Sequence, residues 1–309
     1  MLCEDWVCEY LEHYVKPRTK QRSFAGYKDM ANKHILPQLG GYALAELSPR
    51  VLQRHVSELL EHGNTRTGGG LSVNSVNSVI TVLQGALRTA HTLGLTDVYV
   101  GDKIQRPRAR EKRVECFSVA EQKRIEGYVL AEKKTRLFGV LLCLYTGLRI
   151  GELLALEWDD VDLSDGILRV QRGCYYGKDK DGVYGRITST PKTQSSVREI
   201  PLPKQLLPHL KAQKKKSRSA FVIANGESPI SVRSYQRSFA RMLEKLEISH
   251  RGFHALRHTF ATRALECGMD VKTLSELLGH KSPTVTLSRY AHSLTDHKKD
   301  MMNRLGRLL

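Results

Sequence analysis

Apolar residues in the first hundred positions recur every three to four residues, the spacing of helices that bury one face. Trp6, Val7, Tyr10, Leu11 and Tyr14 form one such stripe, which stops before Pro17. A second runs from about residue 19 to 35 and is expected to close at Pro37 and Gly40-Gly41. Ser48-Pro49 opens a third helix, with proline at its first position and Leu52, Val56, Leu59 and Leu60 as its stripe. After a glycine loop over residues 67–70, Ser72 caps a fourth, which carries Val76, Val79, Ile80, Leu83, Leu87 and Ala90 and stops at Gly94.

The pattern then breaks. KIQRPRAREKR, residues 103–113, holds six basic residues and one acid, with no apolar period. Such a block stays solvated or lies on phosphates. It predicts a linker over 103–114, between a helical domain at 1–102 and a second domain at 115–309. Lys103, Arg106, Arg108, Arg110, Lys112 and Arg113 are its candidate DNA contacts.

The second domain opens on Ser118-Val-Ala-Glu121, the spacing of a capping box. Helical patterns follow at 137–145 and 150–156, broken at Gly147. From Gly166 the period becomes two, with Asp181-Gly182 as a hairpin-turn signal. Helices return from Ser231 onward, punctuated by Gly252, Gly268 and Gly279. The fold class expected is mainly α with a small antiparallel sheet, the second domain being mixed α+β.

Composition narrows the function. With 309 residues and 40% apolar content, the chain can form two cores. No segment approaches the roughly 20 apolar residues needed to span a bilayer. The first residues, MLCEDWVCEYLEHY, lack the pattern of a signal peptide. Six cysteines without a CxxC pair read as reduced thiols of a cytoplasmic protein. The net charge of +17 favours a polyanion, and nucleic acid is the usual one.

FHALRHTFATR places His254, Arg257 and His258 on one helical face. A zinc protease would need glutamate after the first histidine, where Ala255 stands, and Arg257 would repel a cation. Arg257 instead offers a planar fork suited to phosphate oxygens, while His258 by itself reads as a structural histidine. Asp159, Asp160 and Asp162 follow a helix and read as caps rather than metal ligands. Asp179 and Asp181 lack the other oxygen ligands of a calcium loop, and no GxxxxGK[ST] stretch exists. Neither cofactor nor metal is expected.

FHALRHTFATR stands in order with TGLRIGELLAL (146–156), TPKTQSSVREIPL (190–202) and ELLGHKSPTVTLSRYAH (276–292). Together these resemble the tyrosine recombinase (phage integrase) family, whose pattern is Arg, Lys, His-x-x-Arg, His or Trp, then Tyr. TKQRSFAGYKDMANKHILPQLGGYALAEL and LSVNSVNSVITVLQGALRTAHTLGL are similar to the family's SAM-like core-binding domain. The resemblance implies DNA cleavage and rejoining through a 3′-phosphotyrosine, without metal or ATP. In it Tyr290 is the nucleophile, His254 assists its proton transfer, and Arg149 and Arg257 clamp the phosphate. Lys192 is the general acid, His280 donates to the phosphoryl group, and Glu152 holds Arg149.

The implied partners are double-stranded DNA and three further copies of the chain in a tetramer, clamped around the duplex, with a directionality factor and a DNA-bending host protein as accessories. His280 and Tyr290 are ten residues apart, one more than the commonest family spacing, which resembles the conjugative-transposon branch. Members of that branch carry a further N-terminal domain for arm-type sites, whereas this chain opens at the core-binding domain. CYYGKDKDGVYGR lengthens a strand connection into an expected hairpin. The segment from Ser293, with Leu294, Met301, Met302 and Leu305, reads as a tail helix that docks in cis or on a neighbour. The main expectation is a mobile-element integrase. A chromosome-dimer resolvase of the same chemistry and a non-catalytic DNA-binding regulator are the alternatives.

Overall fold

The computed structural model describes residues 1–109, 115–132, 135–178, 182–189, 197–290, 302, 303 and 306. Lys192, Arg110, Lys112, Arg113 and nearly all of the expected tail helix lie outside them. The chain forms two compact units, Met1–Lys112 and Arg113–Leu309.

The first unit is helical: α1 (Cys3–Glu9, continued as a wider turn to Val15), α2 (Gln21–Met30), α3 (Leu36–Leu39), α4 (Pro49–His62) and α5 (Val73–Thr92). The stripes read from the sequence point inward. Trp6, Ile35, Leu52, Leu59, Ile80 and Leu83 are buried together, and the Trp6 indole donates to the Ala86 carbonyl at 2.9 Å. Burying a side chain that large contributes several kcal/mol, at about 25 cal/mol per Å². Ser48 and Ser72 cap α4 and α5 through the amides of Val51 and Ser75. Pro37 does not end the second helical run. The chain widens to a π turn over Ala31–Ile35 and places Pro37 near the start of α3, where a missing N–H costs little.

The described part of the basic stretch rests on this unit. Ile104 is buried, and Gln105 donates its amide to Gln53 at 2.9 Å. Arg106 donates to the Asn77 carbonyl, Thr81 Oγ1 and Gln84 Oε1 at 3.2, 3.1 and 2.6 Å. The buried Ile104 and the bonds of Arg106 to α5 thus anchor the run, while Lys103 and Arg108 stay exposed.

The second unit begins with α6 (Val119–Ala131), α7 (Phe138–Thr146) and α8 (Ile150–Leu153). The capping box forms as expected: Ser118 Oγ accepts from the Glu121 amide at 3.2 Å, and Glu121 Oε2 from the Ser118 amide at 2.7 Å. Strands β1 (Val161–Asp162), β2 (Ile167–Val170), β3 (Gly173–Lys178), β4 (Tyr184–Ser189) and β5 (Arg198–Pro201) follow. β1, β2 and β5 form one antiparallel sheet in that order, with Leu168 opposite Ile200. β3 and β4 form a separate hairpin, with Tyr175 opposite Ile187.

Then come α9 (Leu207–Lys216), the short pair β6 (Ala224–Asn225) and β7 (Ser228–Pro229), and α10 (Val232–Lys245). Next are α11 (His254–Glu266), α12 (Val271–Leu278) and α13 (Pro283–Tyr290). α7, apolar on every side, is the centre of the core and packs against α11. Two of the three acids read as caps, Asp160 and Asp162, act as such. Asp160 accepts from the Glu157 amide and pairs with Arg172 at 2.8 Å, and Asp162 accepts from Ser164 and Asp165. Among the described residues, no helix is long and apolar enough to cross a membrane.

Candidate active site

Two glycines in the left-handed conformation make the site possible. Gly147 (φ 65°) ends α7 and Gly279 (φ 62°) ends α12. The last carbonyls of a helix have no partner within it and carry the negative end of its dipole. At the end of α12 they meet arginines. Leu278 O accepts from Arg257 Nη2 at 2.6 Å, and Gly279 O from Arg149 Nη2 at 3.1 Å. Leu277 O accepts from Arg198 Nε at 2.6 Å.

Arg149 stands in extended backbone just before α8, so Glu152 lies one turn ahead of it. Glu152 Oε2 accepts from the Arg149 amide at 2.9 Å, and Oε1 from its Nη1 at 2.7 Å. The same carboxylate pairs with Arg198 at 2.9 Å. Burial alone would push the Glu152 carboxyl up; the charges and hydrogen bonds of Arg198 and Arg149 override it and bring it down to about 2.

Arg257 projects from α11 into the interior and is 1% exposed. It donates to Gly147 O at 2.7 Å as well as to Leu278 O, and meets His280 Nε2 at 2.9 Å. Burial, and then the nearby charge of Arg149, bring its pKa down to about 9. A guanidinium only donates, so His280 accepts there through Nε2. Its proton is therefore on Nδ1, which faces Thr286 Oγ1 at 2.7 Å.

Tyr290, at the end of α13, is 1% exposed, and its hydroxyl lies 2.6 Å from His258 Nδ1. His254 stands edge-on to His258, ring centres 4.7 Å apart, on the exposed side of α11. Arg149 with Glu152 and Arg257 with His280 thus gather at the end of α12. Tyr290 and His254 both meet His258, and Tyr290 lies near enough to Arg257 to act on its charge. Sequence reasoning missed two participants. His258 was read as structural, and Arg198 was passed over within TPKTQSSVREIPL. Only their partners, far along the chain, distinguish them.

Residues 121–297 match the phage integrase family, and residues 3–60 match the phage integrase N-terminal SAM-like domain. The chain belongs to the phage integrase family. It is a tyrosine site-specific recombinase of the integrase kind. A tyrosine recombinase XerC-like protein of Caldanaerobacter subterraneus subsp. tengcongensis is 28% identical to this integrase-family chain, over 99% of this chain and 82% of the relative. The ICEBs1 integrase of Bacillus subtilis is 24% identical, over 94% of this chain and 79% of its own. The fold also matches the Tn1549 transposon integrase, solved in complex with a circular intermediate DNA. The TM-score is 0.81 at 24% identity, over 97% of this chain and 99% of that one.

Proposed function

We propose that this integrase cuts and rejoins double-stranded DNA for a mobile element, with Tyr290 as nucleophile. The observation that carries this reading is the gathering of Arg149, Arg257 and His280 around one helix end, with the Tyr290 hydroxyl bonded to His258 and Tyr290 near enough to Arg257 to act on its charge. Conserving a phosphodiester's bond energy requires a covalent intermediate, and a phenol attached to phosphorus supplies one. Attack by Tyr290 gives a 3′-phosphotyrosine and a free 5′-hydroxyl.

A free phenol has a pKa near 10 and is only about a thousandth ionised at neutral pH, so its proton needs an acceptor. His258 Nδ1 stands at hydrogen-bond distance for that role. The exposed His254 is then the imidazole that meets the phosphate. Arg149 and Arg257 stabilise the charge that builds on the non-bridging oxygens; removing one such donor typically costs about 100- to 1000-fold in rate. His280 adds a third hydrogen bond when its Nε2, protonated, exchanges Arg257 for the phosphate, and Lys192 protonates the leaving 5′-oxygen. Lys103, Arg106, Arg108, Arg110, Lys112 and Arg113 follow the DNA backbone.

The ICEBs1 and Tn1549 relatives support the mobile-element reading. Four copies acting on two DNA sites agree with the lambda integrase tetramer solved on a Holliday junction. A directionality factor and a DNA-bending protein complete the assembly in the cytoplasm. The test is covalent trapping on nicked duplexes taken from the ends of the element that carries the gene, in EDTA and without ATP. An SDS-resistant adduct on the 3′ side that vanishes in Tyr290→Phe is the expected result. Metal-dependent cutting without an adduct would overturn the reading, and tight binding without an adduct would favour a non-catalytic regulator.

A further inference from the structure

The end of α12 holds a third arginine that the proposed chemistry does not use. Leu277 O, Leu278 O and Gly279 O are three successive carbonyls, and each accepts from a different guanidinium: Arg198, Arg257 and Arg149 respectively. Arg198 comes from β5. Its Nη1 and Nη2 fork onto the two oxygens of Glu152 at 3.3 and 2.9 Å, while its Nε reaches Leu277 O. Its side chain is 6% exposed, against 36% for that of Arg149. Arg198 is therefore turned inward onto Glu152, and Arg149 outward.

We infer that Arg198 is a positioning residue, holding Glu152 and, through it, the Arg149 guanidinium that binds the scissile phosphate. This rests on the recombinase reading above. Two effects follow from the geometry. The first is orientation. Glu152 accepts from the Arg149 amide and guanidinium at once, and Arg198 fixes the carboxylate from the opposite side. A residue so held has few other rotamers.

The second effect is charge. Arg149, Arg198 and Arg257 carry three positive charges and Glu152 one negative, and all four lie close enough to interact. The surplus of two matches the pentacoordinate transition state, with about two negative charges on its non-bridging oxygens, better than the ground-state diester, with one. Interactions stronger in the transition state are those that accelerate a reaction. Without Arg198, the Glu152 charge would fall on Arg149 and Arg257 and cancel much of what the phosphate should meet.

The test compares wild type with Arg198→Lys, Arg198→Met and the double variant Glu152→Gln/Arg198→Met. The substrates are the nicked duplexes described above, with either a normal phosphodiester or a methylphosphonate at the cleavage site. The single-turnover rate of adduct formation and the DNA affinity are measured separately. Arg198→Met should lower the rate about 10- to 100-fold, the scale seen when a supporting partner of a binding group is lost. Affinity should stay within about threefold, because most of it comes from other phosphate contacts. Arg198→Lys should recover part of the rate, keeping the charge but not the fork.

On the methylphosphonate, which lacks one developing charge, the loss should shrink. A purely structural role would give the same loss on both substrates. The double variant leaves no stranded buried charge, so it should fold while cleaving slowly. Wild-type rates in Arg198→Met or in the double variant, an equal loss on both substrates, or a loss confined to affinity would each overturn the inference. A wild-type chain that forms no adduct on any duplex overturns the proposed function itself, and the inference with it.

Discussion

Replacing Arg257 by methionine separates what this side chain does for folding from the phosphate-binding role proposed for it. The guanidinium is 1% exposed and its pKa falls from 12.5 to about 9. Keeping it charged there costs on the order of 5 kcal/mol, at about 1.4 kcal/mol per tenfold change in proton affinity. Against this stand its bonds to Gly147 O and Leu278 O. Leaving two buried carbonyls without partners costs about 2–6 kcal/mol together. Methionine roughly matches the length of the arginine stem and fills the space. Arg257→Met should therefore change the stability of the second unit by less than about 3 kcal/mol in either direction. The same variant should lose at least about 100-fold in adduct formation. Urea denaturation in a Trp6→Phe background reads this unit alone, because Trp158 is then the only indole. A destabilisation well beyond 3 kcal/mol would refute the reasoning, since it would make Arg257 a net structural prop rather than a charge held ready for phosphate.

Three further outcomes are expected. Glu152 is depressed from 4.5 to about 2, so its contribution to stability is complete above about pH 5 and is lost as pH falls through 4.5 towards 2; acid unfolding of Glu152→Gln should show a shallower dependence across that window, and an unchanged curve would count against the buried ion pair. At Gly70 an added Cβ would lie 1.8 Å from Leu60 O, a backbone atom that cannot yield; Gly70→Ala should destabilise the first unit by about 2 kcal/mol or more, as overpacking does, read by Trp6 fluorescence in a Trp158→Phe background. DNA affinity should fall steeply between 50 and 200 mM salt, with a log–log slope of about 0.9 per neutralised phosphate; an affinity that ignores salt would argue against backbone tracking.

The parts of this fold that were legible are those set by local periodicity. Val76, Val79, Ile80, Leu83, Leu87 and Ala90 share a face by helical spacing alone, and all are buried. Ser118 and Glu121 carry their own capping instruction. Pro37 misled because its cost depends on the preceding turn, which widens to accept it. The strands were harder. The period of two continues through ILRVQR and beyond, yet β2 pairs with β1 and β5 while the residues between form their own hairpin. Short strands carry no mark of their partner. The same holds for His258, whose tyrosine lies 32 residues on, and for Arg198, which bonds a carbonyl 79 residues away. Each looks ordinary among its neighbours in the chain. Motif order identified the residues that contact DNA chemistry in the family, and only packing exposed those behind them.

The way these arginines are held bears on why a helix end was used. Pairing each guanidinium with its own carboxylate would fix it equally well but would leave no net charge for the phosphate. Carbonyl dipoles orient cations without neutralising them, and the end of a helix presents several at once, together with about half a negative charge. One carboxylate, Glu152, is then enough to set the fork of Arg149. This solution demands that α12 stop abruptly with its carbonyls turned outward, and Gly279 meets that demand. Its φ of 62° is strained for any residue with a side chain, and a Cβ there would lie 3.0 Å from Arg198 Nη1. Gly279→Ala should therefore disturb Arg198 and Arg149 together while leaving Leu274 and Leu278 of α12 buried. Its loss of adduct formation should not add to that of Arg198→Met, because both changes act on one socket.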